Sequence, residues 1–190
     1  MFEELLLKIR ERKASICVVG LGYVGLPLAA LLADAGFKVI GVDINKKVLE
    51  AISNGYPLYK EPGLRELVKK AVTSKSLLLS SNAEESMRKC DVAIVCVQTP
   101  VSNDSPNLSF LESACRSIGR SLKRGSLVVI ESTIPLGTTR GLVAKWLEEE
   151  SGLKAGVDFL LAHTPERVLP GRALQELVNN DKVIGGIDEW

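Results

Sequence analysis

The sequence predicts an α/β fold, a doubly wound and mostly parallel sheet with an extra helix in front of it, and three observations carry that prediction. Short apolar runs alternate with helix-period segments along the whole chain. Several of those runs are continuous rather than alternating, as in strands covered on both faces. The first strand-like run passes at once into a glycine-rich turn and a helical pattern, the opening of a βαβ unit.

The elements follow in order. Phe2 to Arg12 carries Leu5, Leu6 and Ile9 at helical spacing. It reads as a short amphipathic helix, residues 1–13, packed on the domain behind it; contact with a partner subunit is the competing use. Strands are expected at Ser15 to Val19, Lys38 to Val42, Leu77 to Leu79, Val92 to Val97, Leu127 to Ile130, Phe159 to Ala162 and Val183 to Ile184. Between them, Asn82 with Glu85 and Ser109 with Glu112 have the spacing of helix capping boxes. No repeat, low-complexity tract or linker interrupts the pattern, so residues 14–190 read as one domain.

Bulk properties exclude several functions. The 190 residues are 46% hydrophobic and 25% charged with a net charge of +1, and the basic residues are scattered. Neither nucleic acid nor a membrane surface is an expected partner. The apolar runs are strand-length, short of the about 20 residues a membrane span needs. "MFEELLLKIRERK" is charged from its third residue and lacks a small-residue cleavage site, so it does not read as a secretory signal and a cytoplasmic chain is expected. None of the four cysteines has CxxC or metal-ligand spacing, and a single histidine cannot build a zinc site. No metal is expected, and Cys17 and Cys96 should be reduced residues of buried strands. Without export, the N-x-S sequons at Asn103 and Asn107 carry no meaning.

The first chemistry lies in "CVVGLGYVGLPLAALLADAGFKVIGVD", where Gly20, Gly22 and Gly25 form G-x-G-x-x-G between a strand and a helix. The first glycine allows the tight turn, the second lets a pyrophosphate approach the backbone, and the third lets helix and strand pack closely. Asp43 ends the second strand at the distance expected for an acid that bonds the adenosine ribose hydroxyls. Its charge opposes a 2′-phosphate, which favours NAD over NADP. Lys46 and Lys47 soften that preference, because a nearby cation can accept the phosphate. The expected domain is therefore a Rossmann-type, NAD-binding one.

Four segments in order, "GLGYVGLPLA", "EPGL", "ESTIPLGTT" and "PERVLPG", resemble the NAD-binding domain of the UDP-glucose/GDP-mannose dehydrogenase family. The resemblance covers essentially the whole chain after residue 14. "PERVLPG" followed by "ELVNNDKVIGG" is most similar to the UDP-N-acetyl-D-mannosamine branch, and Pro170 stands where the UDP-glucose branch has a second glutamate. The resemblance implies oxidation of a UDP-sugar C6 alcohol to the carboxylate in two NAD-linked steps, through a thioester on an active-site cysteine. It places Tyr23 and Val24 beside the glycines as cofactor contacts, and Thr99 and Thr133 along the cofactor cleft, with Thr133 reaching toward the reacting centre. Glu166 matches the acid associated with the catalytic water, and Arg167 with Val168 match substrate contacts.

The residues support those assignments independently, since Thr99 and Thr133 follow strand ends, where open α/β sheets bind ligands. A turn hydroxyl capping backbone is the plainer reading of either threonine, and Glu131 reads equally as a site residue or a strand-end surface acid. His163, in "HTPERVLPG", is expected to be a neutral histidine satisfied by backbone. Val48 stands where the family often has a basic residue, which puts the detailed adenosine clamp in doubt.

The family's central helix, catalytic cysteine and UDP-binding domain have no counterpart in "…VIGGIDEW" and upstream. The chain is therefore expected to be an inactive and monomeric cofactor domain, where the longer protein is a homodimer. Two alternatives stay open: a stand-alone NAD-binding or regulatory module, and a dehydrogenase for another UDP-sugar (UDP-glucose or UDP-N-acetylglucosamine) or for a β-hydroxyacid-type or acyl-CoA substrate.

Overall fold

The computed structural model describes residues 2–102 and 104–187, so the Asn103 sequon lies outside the described residues. The first half runs α1 (Phe2–Arg10), β1 (Ser15–Val19), α2 (Gly25–Asp34), β2 (Lys38–Val42), α3 (Lys46–Ser53), α4 (Leu64–Thr73) and β3 (Leu77–Ser80). The second half runs α5 (Ala83–Met87), β4 (Val92–Val95), a two-residue hairpin of β5 (Val101–Ser102) and β6 (Ser105–Pro106), α6 (Ser109–Gly119) and β7 (Leu127–Ile130). A π-helical turn (Thr139–Val143) then leads into α7 (Ala144–Ser151), β8 (Leu160–His163), α8 (Ala173–Asn179) and β9 (Gly185–Gly186).

The main sheet has the order β3-β2-β1-β4-β7-β8-β9. Every pairing from β3 to β8 is parallel, and only the edge strand β9 is antiparallel. The chain order reverses between β1 and β4, which makes the crevice at their C-terminal ends the topological switch point. Helices cover both faces, with two apolar clusters. One contains Leu21, Leu26, Ile52, Leu64 and Leu77; the other contains Met87, Leu111, Ile118, Leu147 and Phe159. That double burial explains why the strands read as continuous apolar runs.

β1, β2 and β7 have the expected bounds, whereas others shift. β4 stops at Val95 rather than Val97, because its neighbours β1 and β7 end at Val19 and Ile130. β8 starts and ends one residue later than expected, and the last strand is the glycine pair Gly185–Gly186 instead of Val183 and Ile184. The two glycine backbones pair with Ala162 and His163, while Val183 and Ile184 stay exposed.

Caps differ too. The Asn82 side chain accepts the Glu85 N–H as expected. Ser109 instead sits inside α6, and Asn107 Oδ1 accepts its N–H at 3.0 Å, so the Ser109–Glu112 box is not formed. α1 ends at Arg10, short of Arg12, which has a positive φ of 58°. Its Leu5 is buried in the domain core, but Leu6 is exposed. Lys8 Nζ reaches Asp91 Oδ1 at 3.1 Å and ties the helix to the start of β4.

Candidate active-site cleft at the sheet switch point

A cleft of about 930 Å³ opens at the C-terminal ends of β1, β2, β4 and β7, within the size range of small-molecule sites. The glycine turn forms its floor, and each glycine meets a different constraint. Gly20 has φ +93°, and a Cβ there would lie 2.7 Å from the Cys96 carbonyl oxygen. A Cβ at Gly25 would run into the Gly20 carbonyl oxygen, so that position seats α2 against the turn. A Cβ at Gly22 would meet only the Tyr59 hydroxyl, at 3.9 Å. The space over Gly22 belongs to the cleft. α2 has no side-chain cap at its N-terminus. The Gly22 carbonyl takes the Leu26 N–H at 3.2 Å and Pro27 has none, so of the first-turn groups it is the Gly25 N–H that is left to meet an anion. Tyr23 and Val24 line the same wall.

Asp43 marks one end of the cleft. Its Oδ2 accepts the Leu21 N–H at 2.9 Å and its Oδ1 accepts the Asn45 N–H at 2.8 Å. Each carboxylate oxygen has two acceptor sites, so capacity remains for hydroxyls in the cleft. The bond to Leu21 also fixes the acid to the glycine turn itself. Lys46 and Lys47 open α3 on the exposed surface nearby, and the buried Val48 forms apolar wall. A carboxylate with spare acceptor capacity, an open glycine cradle and an uncapped helix start suit a dinucleotide.

The opposite end gathers Thr99, Glu131, Ser132, Thr133 and Glu166. Thr99 donates its hydroxyl to the Thr133 carbonyl at 2.7 Å, which locks two strand-end loops together. The backbone-capping role therefore holds for Thr99, while its oxygen can still accept from a ligand. Glu131 is not a surface acid: it is 5% exposed. Lys182 Nζ lies 2.7 Å from Glu131 Oε1 and 2.6 Å from Glu166 Oε2. Burial alone would lower the Lys182 ammonium, but the two carboxylates outweigh it and raise it above the ordinary lysine value. Cys96 follows β4 instead of lying inside it, faces the cleft, and donates its Sγ to Glu131 Oε2 at 3.4 Å. Burial, then the Glu131 charge, pushes that thiol well above the usual range.

The loop after β8 is strapped down from two sides. Glu61, from the "EPGL" segment, accepts the Gly171 N–H at 2.9 Å, and Glu176 of α8 accepts the Leu169 N–H at 2.8 Å. Between these acids the Tyr23 hydroxyl is buried with no hydrogen-bond partner among the described residues. Burial, with Glu61 and Glu176 behind it, raises the phenol. Glu166 Oε1 accepts the Arg167 N–H at 2.8 Å, whereas its buried Oε2 has the Lys182 charge beside it but no hydrogen-bond partner among the described residues. Arg167 is exposed, and neither it nor Val168 lines the cleft. His163 Nε2 lies 3.3 Å from the Ser132 carbonyl oxygen, the backbone contact expected of it.

Sequence reading missed Lys182 and left Glu131 undecided. An acid at the C-terminal end of a parallel strand was the signal for Glu131; Lys182 offered none beyond its position in "NNDKVIGG".

Comparison with known proteins agrees with this geometry. The chain matches the UDP-glucose/GDP-mannose dehydrogenase family, NAD binding domain, over residues 14–190. A UDP-N-acetyl-D-mannosamine dehydrogenase of Pyrococcus horikoshii is 45% identical over 174 residues, covering 92% of this chain and 41% of that protein. The structure of an NDP-N-acetyl-D-galactosaminuronic acid dehydrogenase from Methanosarcina mazei Go1 superposes with a TM-score of 0.89 at 43% identity, over 99% of this chain and 42% of that one. A ternary complex of GDP-mannose dehydrogenase from Pseudomonas aeruginosa gives 0.87 at 33% identity, over 91% of this chain and 41% of that one. The chain thus spans well under half the length of these relatives. No helix among the described residues is long and apolar enough to cross a membrane. With its glycine cradle, Asp43 and a family match over residues 14–190, the chain belongs to the UDP-glucose/GDP-mannose dehydrogenase family as an NAD-binding domain.

Proposed function

We propose that this domain serves a UDP-sugar 6-dehydrogenase that oxidises the C6 alcohol of UDP-N-acetyl-D-mannosamine to the carboxylate. One alcohol, one water and two oxidised cofactors would give one carboxylate, two reduced cofactors and three protons. The observation that carries this reading is the cleft's polarity: the Asp43 carboxylate lies at the end of β2, and Thr133 and Glu166 gather beyond β7 and β8. Pro170, in place of the glutamate of the UDP-glucose branch, favours the acetamido sugar. In this reading an N-terminal segment, residues 1–13, precedes a dinucleotide-binding domain of residues 14–190, and the longer protein works as a cytoplasmic homodimer.

When bound, NAD supplies the hydride acceptor for each oxidation. Gly20, Gly22 and Gly25 with the start of α2 hold its pyrophosphate, Asp43 its ribose, and Tyr23, Val24 and Thr99 the cleft walls. Thr133 presents its hydroxyl toward the reacting carbon from a loop that Thr99 fixes. Glu166 orients the water that hydrolyses the thioester and takes its proton, a task for which geometry comes before pKa. Arg167 and the Val168 backbone meet the sugar nucleotide where the loop leaves the cleft.

The thiolate nucleophile is assigned outside these 190 residues. Cys17, Cys90 and Cys115 are wholly buried, and burial pushes Cys115 up to about 12. Cys96 is tied to a carboxylate, the opposite of the electropositive setting that a reactive thiol needs.

The chain should bind NAD in a calorimeter and form no NADH with any UDP-sugar, read by absorbance. Steady NADH production abolished by replacing one of its four cysteines would overturn the assignment of the nucleophile.

A further inference from the structure

The cleft carries its charge unevenly. Asp43 stands at one end, while Glu131 and Glu166 line the other, and no basic residue lines it among the described residues. The counter-ion of the two glutamates, Lys182, sits behind them and contacts both, at 2.7 and 2.6 Å. Its position is built in. Lys182 belongs to the segment between α8 and β9; β9 pairs with Ala162 and His163, and Arg140 Nη2 donates to the Ile187 carbonyl oxygen at 3.0 Å. Around the trio, Cys96 donates to Glu131, His163 contacts the Ser132 carbonyl, and Arg167 turns its side chain to solvent. Two carboxylates and one ammonium leave one negative charge facing the cleft.

We propose that Glu131, Glu166 and Lys182 form a charge-setting array by which this end of the cleft prefers the oxidised, cationic nicotinamide ring to the reduced, neutral one. The proposal rests on the reading that Asp43 takes the adenosine ribose, which sends the nicotinamide to the glutamate end. The two cofactor forms share every other part, so a change in their affinity ratio when one charge is removed reports the field at the ring. Glu131 and Glu166 are 4% and 7% exposed at the side chain, so water and salt weaken that field less than on an open surface. A two-step oxidation must release a reduced cofactor and admit an oxidised one before the sugar leaves. An end charged in this way drives that exchange forward. Lys182 tunes the field: without it two bare carboxylates would bind the cation more tightly, but would stand unpaired in its absence.

The test is calorimetric titration of the 190-residue chain with NAD, NADH, ADP-ribose and AMP, for wild type, Glu131→Gln, Glu166→Gln and Lys182→Met. Each glutamine variant removes one negative charge and should lower the NAD-to-NADH affinity ratio by about threefold or more, a modest step for one charge at partly screened distance. Lys182→Met should move the ratio the other way. ADP-ribose, which has no ring, should bind all folded variants alike. An unmoved ratio in both glutamine variants overturns the proposal, as does a Lys182→Met shift in the same direction as theirs. A purely structural role would weaken NAD and NADH together and leave the ratio alone, which overturns the proposal as well. If the glutamine variants weaken ADP-ribose, the acids hold one of its riboses instead of reading the ring's charge, and the proposal falls; if they weaken AMP as well, the acids lie at the adenosine end and the orientation reading falls with it. Should Lys182→Met fail to fold, the two glutamine variants decide the matter between them.

Discussion

Replacing Asp43 with asparagine separates two jobs that one carboxylate performs. Its Oδ2 accepts the Leu21 N–H at 2.9 Å and its Oδ1 the Asn45 N–H at 2.8 Å, so the acid holds the glycine turn as well as facing the cleft. Alanine would strip the acceptors from both N–H groups and confuse a loosened turn with a lost ligand contact. Asparagine keeps one oxygen, able to serve one of the two. The fold should then lose about 1 kcal/mol, one net hydrogen bond, and melt roughly 2–4 °C lower for a domain of this size. Binding should suffer more. Losing charge-assisted acceptance of ribose hydroxyls costs about 1.5–3 kcal/mol, which is a fall in NAD affinity of roughly tenfold to a hundredfold.

NADP should respond differently. The variant removes the repulsion of a 2′-phosphate, and Lys46 and Lys47 stand exposed at the start of α3 beside it. NADP affinity should hold or rise, and any gain should shrink with added salt because those cations are solvent-exposed. Paired titrations of NAD and NADP against wild type and Asp43→Asn, with melting curves alongside, read every part of this. NAD affinity unchanged within twofold would refute the assignment of Asp43 as the ribose acid, however much the melting temperature moved.

Gly22→Ala should leave the melting temperature unchanged or slightly higher, since a Cβ there meets only Tyr59 Oη at 3.9 Å, yet it should weaken NAD sharply by filling the phosphate cradle. Gly25→Ala should do the reverse in the first measurement: its Cβ runs into the Gly20 carbonyl, and overpacking of that kind costs about 1–3 kcal/mol. Equal melting temperatures for the two variants would contradict the different roles given to these glycines. The pairing of Lys182 predicts an alkaline weakness. Its folded value lies above the ordinary 10.5, so its stabilisation is fully present below about that pH and is lost as pH rises through the folded value. Lys182→Met should flatten the fall in stability measured by urea melts above pH 10.5; an identical alkaline slope would sink the linkage. In a longer protein that carries the nucleophile, Glu166→Gln should release a burst of NADH and then stall with a sugar adduct seen by intact-mass spectrometry, because a general base contributes about 10²–10⁴-fold. Normal turnover without adduct would make Glu166 a loop residue only.

What the sequence revealed, and what it concealed, divides by range. β1, β2 and β7 were legible because burial on both faces imposes apolar residues without a break, and the glycine turn because backbone geometry admits few substitutes there. Asp43 was legible because it lies one βαβ step from that turn. Local rules failed where two local partners competed: Asn107 Oδ1 holds the Ser109 N–H that the Ser109–Glu112 box would have given to Glu112. They failed again at Gly185–Gly186, whose pairing with β8 depends on a neighbour rather than on side chains of its own. The acidic end of the cleft lay furthest from view. Glu131, Glu166 and Lys182 come from three separate loops: resemblance alone singled out Glu166, Glu131 stayed ambiguous, and Lys182 read as an ordinary surface charge. Only the strand order brings them together. Their burial then changes what each one means: an ammonium that would be a solvated surface charge becomes the counter-ion of two carboxylates, and a strand-end acid becomes part of the cleft. The cofactor half of this site is written in backbone constraints and can be read locally. The glutamate half is written in charge balance, which exists only once the sheet has assembled.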